Sequence, residues 1–350
     1  MESTVARLKR HPDTGRRDSS AFKPVLVGVA LLCLLVFGMG FVIASDTKGT
    51  AEPVRCHAGI YIVSLSDADL RSGTCVADFW VWFRWRDPDY NPLESLEVID
   101  GVIDEKSGEV QKTLKDGQQY ACQRIRATIR QKWDVYRFPL DTQRIVILLE
   151  DAEVESDRVA FIPDESGSRV SPSVSVPGWN IGRFTIGTRA QVYDTNYGDT
   201  DLPDDASSEY SRIVVTLDLQ RPGMGLFFKL FSGLFVAVGI ALVSIAIRPT
   251  DLDPRFGLPV GAMFASIASQ YVIASVLPDS ADFTLADQLH VLAVIVIFLT
   301  LLESVVSLFL TYADRQPLAR RMDAATILIF TVSTVLIVFQ LVTQALASSG

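Results

Sequence analysis

The sequence predicts a membrane protein in two parts: an extracytoplasmic antiparallel β-sandwich, then a four-helix transmembrane bundle. Three observations carry that expectation. Residues 53–222 hold short β-branched and aromatic runs separated by turn-rich breaks, with little helical periodicity. Residues 223–346 hold four apolar runs, each of the roughly 20 residues that a helix needs to cross a hydrocarbon core. The chain has 350 residues, 49% hydrophobic, and a net charge of −9, with a mean hydropathy of +0.27. That is the balance of a membrane domain joined to a sizeable polar one.

Residues 1–23 form a basic tail, with six Lys or Arg against three acids. An apolar run, Val25–Ala44, follows directly. Residues 24–45 read either as a signal peptide, with small residues at Ala44 and Ser45, or as an N-terminal transmembrane anchor. In both readings the positive-inside rule keeps the tail cytoplasmic and sends the next segment outward. That segment is acidic: residues 46–222 carry 30 Asp and Glu against 20 Lys and Arg. Such a balance argues against a nucleic-acid partner and favours ions or cationic ligands.

Strands are expected at Gly59–Leu65, Val76–Arg86, Tyr120–Lys132, Arg144–Leu149, Gly182–Tyr193 and Ser211–Leu219. Their spacing points to a sandwich of immunoglobulin-like type. In the second, Phe79, Val81, Phe83 and Trp85 share the face suited to the core, while Trp80, Trp82 and Arg84 share the other. Aromatics on an outer face mark a ligand contact or a neighbouring subunit. Cys56 and Cys75 bracket a hairpin that an oxidising compartment would permit to be disulfide-linked, with Cys122 left over. The three histidines, His11, His57 and His290, are scattered, and no metal-ligand spacing appears. Neither a metal, a cofactor nor an enzyme activity is expected.

The helices are expected at Leu226–Ile247, Arg255–Leu277, His290–Leu310 and Ala324–Leu346. Arg248, Arg255, Arg315, Arg320 and Arg321 place two connections in the cytoplasm, and the acidic loop at Asp279, Asp282 and Asp287 lies outside. The second helix differs from the rest. Gly257, Gly261, Ala262, Ala265, Ser266, Ala268, Ser269, Gln270, Ala274 and Ser275 make it small and polar, so it is expected inside a bundle or along a pore. Glu303, a carboxylate within the third helix, reads as a buried helix–helix hydrogen bond.

Five stretches, in order, resemble the pentameric ligand-gated ion channels (the Cys-loop receptor superfamily), above all the short prokaryotic members. Trp80, Trp85 and Asp87 resemble the family's W-x4-W-x-D strand. Phe138-Pro139-Leu140-Asp141-Thr142-Gln143 resembles its F-P-x-D-x-Q loop. Pro177-Gly178-Trp179-Asn180-Ile181 resembles a later strand, and Glu209-Tyr210 through Arg221-Pro222 resembles the last strand with its R-x-P exit. Leu277-Pro278, Thr284 and Asp287-Gln288 resemble the loop after the pore helix. Lys132 and Ile145 stand where eukaryotic members carry the Cys-loop disulfide, and the loop at 311–323 is short, as in bacterial members.

The resemblance implies a homopentamer in a bacterial inner membrane, with the soluble domain in the periplasm, a small-molecule agonist and inorganic ions as the permeating species. Matching to amine-gated members implies a cationic amine bound by Trp80 from one subunit face and by Glu150, Tyr193 and Tyr210 from the facing one. It implies coupling through Phe138, Pro139 and Asp141 against Pro278 and Asp287. Alignment on Leu277-Pro278 puts Gly257, Gly261, Phe264, Ala268, Tyr271 and Ser275 on the pore face. Polarity alone favours the Ser266/Gln270 face instead. Asp251 and Asp253 at the cytoplasmic mouth suggest cation conduction, although Pro254 stands where the family has an acid. The alternative function is a non-conducting, membrane-anchored ligand sensor or accessory subunit, favoured by Pro259, Phe264 and Tyr271 as a plug.

Overall fold

The computed structural model describes residues 52–203, 205–279 and 282–347. The basic tail at 1–23 and the apolar segment at 24–45 lie outside the described residues. The described chain begins with strands and ends with four long apolar helices.

The strands are β1 (Val54–Asp69), β2 (Thr74–Trp85), β3 (Leu96–Ile99), β4 (Gly101–Thr113), β5 (Gln119–Arg130), β6 (Thr142–Asp151), β7 (Val159–Pro163), β8 (Arg169–Val170), β9 (Asn180–Tyr193) and β10 (Ser208–Gln220). One sheet has the order β4-β5-β2-β1-β7, with β8 also on β1, and the other has the order β3-β6-β10-β9. Alternation positions them. In β2 every odd residue from Cys75 to Trp85 is buried, and the even set faces away from the core. In the second sheet, Ile145, Ile147 and Leu149 of β6 and Ile213, Val215, Leu217 and Leu219 of β10 point the same way. The buried side chains of both sheets belong to one apolar cluster. Each fully buried Phe or Ile in it contributes about 1.5–3 kcal/mol.

Three expectations are corrected here. The pairing is mixed rather than wholly antiparallel, because β7 and β8 run parallel to β1. After β6 the chain crosses to the far side of β1, so it arrives running in β1's own direction. Pro163, which has no N–H for a ladder, closes β7. Next, β4 lacks alternation because it is an edge strand bathed on both faces. Its Asp104, Glu105, Lys106, Glu109 and Lys112 obscure the pattern that would reveal a strand. Last, Cys56 and Cys75 are free thiols. His57 pairs with Arg84 in the β1–β2 register, so Cys56 sits near Trp85, ten residues along β2 from Cys75. That is roughly 33 Å at the usual rise, far beyond the roughly 7 Å that a disulfide tolerates between Cα atoms.

The helices are α1 (Gly225–Ser244), α2 (Leu252–Ala274), α3 (Leu285–Tyr312) and α4 (Gln316–Ala347). All four are long and apolar enough to cross a membrane. Thr284 starts α3 with a reciprocal cap: its hydroxyl accepts from the Asp287 amide at 3.2 Å, and Asp287 Oδ2 accepts from the Thr284 amide at 2.9 Å. α2 packs on α1 and α3, while α4 packs on α3 and α1. The expectation that α2 lies enclosed in a bundle therefore fails within one chain: one side is covered and the other is open.

Candidate functional site

The expected ligand residues split into two groups. Glu150, Tyr193 and Tyr210 come together on the outer face of the second sheet. Tyr193 donates to Glu150 Oε1 at 3.0 Å, and the Tyr193 and Tyr210 rings meet edge-on at 5.7 Å. Tyr197 joins them, its ring 6.4 Å from that of Tyr193. Trp80 lies on β2 in the other sheet and is not brought to them within the chain. Its indole rests against Gly108 of β4, where a Cβ would stand 2.7 Å from the ring. Trp82 is covered similarly by its own chain, stacking over Gly59 and donating to Asp164 at 3.2 Å.

Glu150 is not the free counter-charge that an ammonium group would need. It is 2% exposed, and Arg212, its direct cross-strand partner, donates Nε to Oε2 at 2.6 Å. Arg212 also donates to Gln191 Oε1 at 3.0 Å and to the Tyr193 hydroxyl at 2.5 Å, and its guanidinium lies 5.8 Å from the Tyr193 ring. The carboxylate left over is Glu97, paired with Glu150 across β3 and β6. Partial burial, and then the charge of Glu150, raise its carboxyl above the ordinary value. Burial, reinforced by the bond to Glu150, raises the Tyr193 phenol as well, and burial raises that of Tyr210. Arg212 and Glu97 escaped sequence reading because their roles depend on the register of β3, β6 and β10, although both show the outward parity of their strands.

A second cluster forms where strands meet helices. Asp141, buried, accepts from Arg221 Nε at 2.6 Å and from Gln143 Nε2 at 2.5 Å. The Arg221 guanidinium also lies 4.0 Å from the Trp179 ring centroid and 5.1 Å from that of Phe138. Three stretches distant in sequence thus converge on the exit of β10. The Phe138–Pro139 peptide beside them is cis. Direct bonds join turns of the strand region to the helices: Tyr136 O accepts from the Leu285 amide at 2.8 Å, and Arg71 donates to Ser275 O at 3.1 Å. Asp287, expected as a coupling contact, caps α3. Pro278 follows the half-turn that ends α2 and is partly buried. Tyr136 and Arg71 went unnoticed because nothing in a turn's composition tells which helix end it touches.

α2 presents two opposed faces. Arg255, Pro259, Ala262, Ser266 and Ile273 are buried against the other helices. Gly257, Gly261, Phe264, Ala268, Tyr271 and Ser275 are exposed, Phe264 at 70% and Tyr271 at 79%. At about 100° per residue the two sets centre roughly 180–200° apart. The polarity-based pair is split: Ser266 points into the chain's own helices, while Gln270 is exposed. Pro259 also faces inward, against the other helices. Asp253, in the first turn of α2, lies on the same exposed side, one helical turn before Gly257.

Arg255, read from sequence as a cytoplasmic flank, is fully buried. Its guanidinium donates to Ile245 O at 3.2 Å, to Ile247 O at 2.5 Å, to Glu303 Oε2 at 3.2 Å and to Asp323 Oδ1 at 3.1 Å. It ties the α1–α2 connection to α3 and α4. Glu303 takes part as the helix–helix hydrogen bond expected of it. Among the described residues no cluster of three or more His, Cys, Asp or Glu could hold a metal ion. No protein-family model matches the chain, and no curated protein matches it.

Proposed function

We propose that the chain is one subunit of a homopentameric ligand-gated ion channel of prokaryotic type. In this reading residues 53–222 form a periplasmic β-sandwich above an inner membrane crossed by α1–α4. The observation that carries it is the opposition of the two α2 faces. A helix that buries Arg255, Pro259, Ala262, Ser266 and Ile273 against its own chain, yet leaves small residues with Phe264 and Tyr271 open on the far side, is suited to line an axis shared by five copies. Rings of Phe264 and Tyr271 would be hydrophobic constrictions that gate by dewetting.

Cations are the favoured permeant ions. Asp253 sits on the pore-facing side, whereas Arg255 is turned away from it and neutralised by Glu303 and Asp323. A ring of five Asp253 carboxylates would concentrate cations at the mouth. The agonist would be a small cationic amine held among Tyr193, Tyr197 and Tyr210 with Glu97 as counter-charge, and Trp80 of an adjacent subunit would close the pocket. Binding would bias the ring toward its open arrangement through the Asp141–Arg221 node and the Tyr136–Leu285 and Arg71–Ser275 bonds.

The exposed bulk of Phe264 and Tyr271 also favours a second reading, a sensor with the same assembly and no conduction. Purified protein in planar bilayers, exposed to a panel of primary amines, separates the two. Agonist-dependent unitary currents, lengthened or made constitutive by Phe264→Ala, support the channel. Fivefold particles that stay silent with every amine, Phe264→Ala included, support the sensor. A monomeric particle sinks both.

A further inference from the structure

We propose that Lys229 of one subunit and Asp287 of the next form an ion pair that sets the register between neighbours, α1 of one copy lying on α3 of the other. This rests on the reading of the chain as one subunit of a closed ring. Lys229 is the single charge within the apolar run Leu226–Ile247. It is exposed and has no hydrogen-bond or ion-pair partner among the described residues. A cation inside a membrane helix calls for a partner of opposite charge. Asp287 can supply one. Its Oδ2 accepts from the Thr284 amide and hydroxyl, at 2.9 and 2.7 Å, while its Oδ1 has no partner among the described residues.

The two charges match in depth. The Phe231 ring on α1 lies 5.7 Å from the His290 ring on α3, so those two residues share a level. Lys229 stands two residues before Phe231, and Asp287 three before His290. Both helices start at the strands: α1 follows β10, and the Leu285 amide that opens α3 bonds to Tyr136 O. At about 1.5 Å per residue, the charges therefore stand within roughly 2 Å of one height.

The faces match as well. On α1, Lys229 heads an exposed stripe through Val236, Ile240 and Val243, roughly 180° around the helix from buried Phe227, Phe231 and Leu234. On α3, Asp287 heads an exposed stripe through Val291, Ile295, Phe298 and Leu302, turned away from buried Leu289 and Ala293. α2 packs on both helices, so the stripes flank it. Two different patches on one chain make a head-to-tail contact, the kind that closes rings. Lipid alone suits α4, which carries no charge from Ala324 to Ala347. It suits Lys229 poorly, because hydrocarbon offers an ammonium group no partner.

Two measurements on the purified full chain test this. Gly233 and Val291 each lie one turn past a charge, and a Cβ at Gly233 meets nothing within 4 Å. Under mild oxidation Gly233→Cys/Val291→Cys should give a ladder of linked chains up to five, and each single variant none. Lys229→Met and Asp287→Asn are then combined in a cycle that reads the half-life of the pentamer in detergent. Lys229→Met should shorten it roughly tenfold, and the double variant should fare no worse than Asp287→Asn alone. Asp287→Asn keeps an oxygen for the Thr284 cap, and any loss of the cap recurs in both arms and cancels. Lys229→Met removes an exposed side chain bonded to nothing in its own chain, so an undiminished half-life in that variant alone overturns the pair. Additive losses beside an intact ladder overturn it too, leaving Lys229 to the lipid headgroups. A pentamer that gives no ladder overturns the contact of α1 with α3 and leaves the ring standing. A monomeric particle removes the ring reading, and this inference with it.

Discussion

Arg212 and Glu150 face each other directly across β10 and β6, Nε to Oε2 at 2.6 Å, with side-chain exposures of 6% and 2%. A pair so enclosed is weak evidence for stability as a unit but severe when halved. Glu150→Gln should cost about 3–5 kcal/mol by leaving the guanidinium without its counter-ion. Arg212→Met should cost a similar amount by leaving Glu150 against Glu97. The double variant should cost markedly less than the two single changes added together. Thermal unfolding of the four proteins in one detergent closes the cycle, and additive losses would mean that the pair is not coupled.

Glu97 carries the pH dependence. Its carboxyl is raised, so the folded chain holds that proton more tightly than the unfolded chain. Its stabilising effect is therefore present at acid pH and is lost as pH rises through the raised value. Ligand binding runs the other way, because an ammonium group needs the ionised carboxylate. Amine affinity should be full where the carboxyl is ionised and fall as pH drops through its raised value. Glu97→Gln should bind more weakly at neutral pH and show no such fall. Calorimetric titration at several pH values reads this, and a Glu97→Gln protein that keeps the acid fall would reassign it to another group.

Arg255 tests how α2 is anchored. Its removal strands two carboxylates among apolar helices, so Arg255→Met should abolish recovery of a monodisperse assembly. Arg255→Lys keeps the charge but cannot reach Ile247 O, Glu303 and Asp323 together, and recovery should be partial. Neutralising the acids as well, in Arg255→Met/Glu303→Gln/Asp323→Asn, should restore much of what the single change loses. Size-exclusion profiles after extraction measure all three.

How far the sequence revealed this depended on whether an element's neighbours stamp a period on it. β2 and β10 were legible because one face is buried along β2 from Cys75 and along β10 from Ile213 to Leu219, and the four helices because apolar length alone betrays them. β4 was not, since an edge strand with polar residues on both faces has no period to detect. The exposed face of α2 emerged from alignment on Leu277-Pro278 rather than from polarity. Ser266 misleads a polarity argument because a small hydroxyl also packs well between helices. Glu150 was recognised, but its neutralisation by Arg212 is a matter of register that composition does not carry. The same holds for Arg255, whose charge suggested a flank until three helices closed around it.

The opposed faces of α2 make the sharpest discriminating prediction. Cys75 is buried and its thiol pushed up to about 12 by burial first and the charge of Asp67 second. Burial raises Cys56 as well, and Cys122 to a lesser degree. Thiolate is the reactive form, so these three should be nearly silent toward a water-soluble methanethiosulfonate at neutral pH. With Cys33, which lies outside the described residues, replaced by Ser, an introduced thiol then reports its own surroundings. Ala268→Cys, on the open face with Phe264 and Tyr271, should be modified readily in the assembled protein, faster with agonist present, and should reduce any current. Ser266→Cys, facing α1 and α3, should resist the reagent under the same conditions. Reversed labelling would put the Ser266/Gln270 side toward water and displace Phe264 from the conduction path. Equal protection of both thiols would mean that α2 meets no water at all.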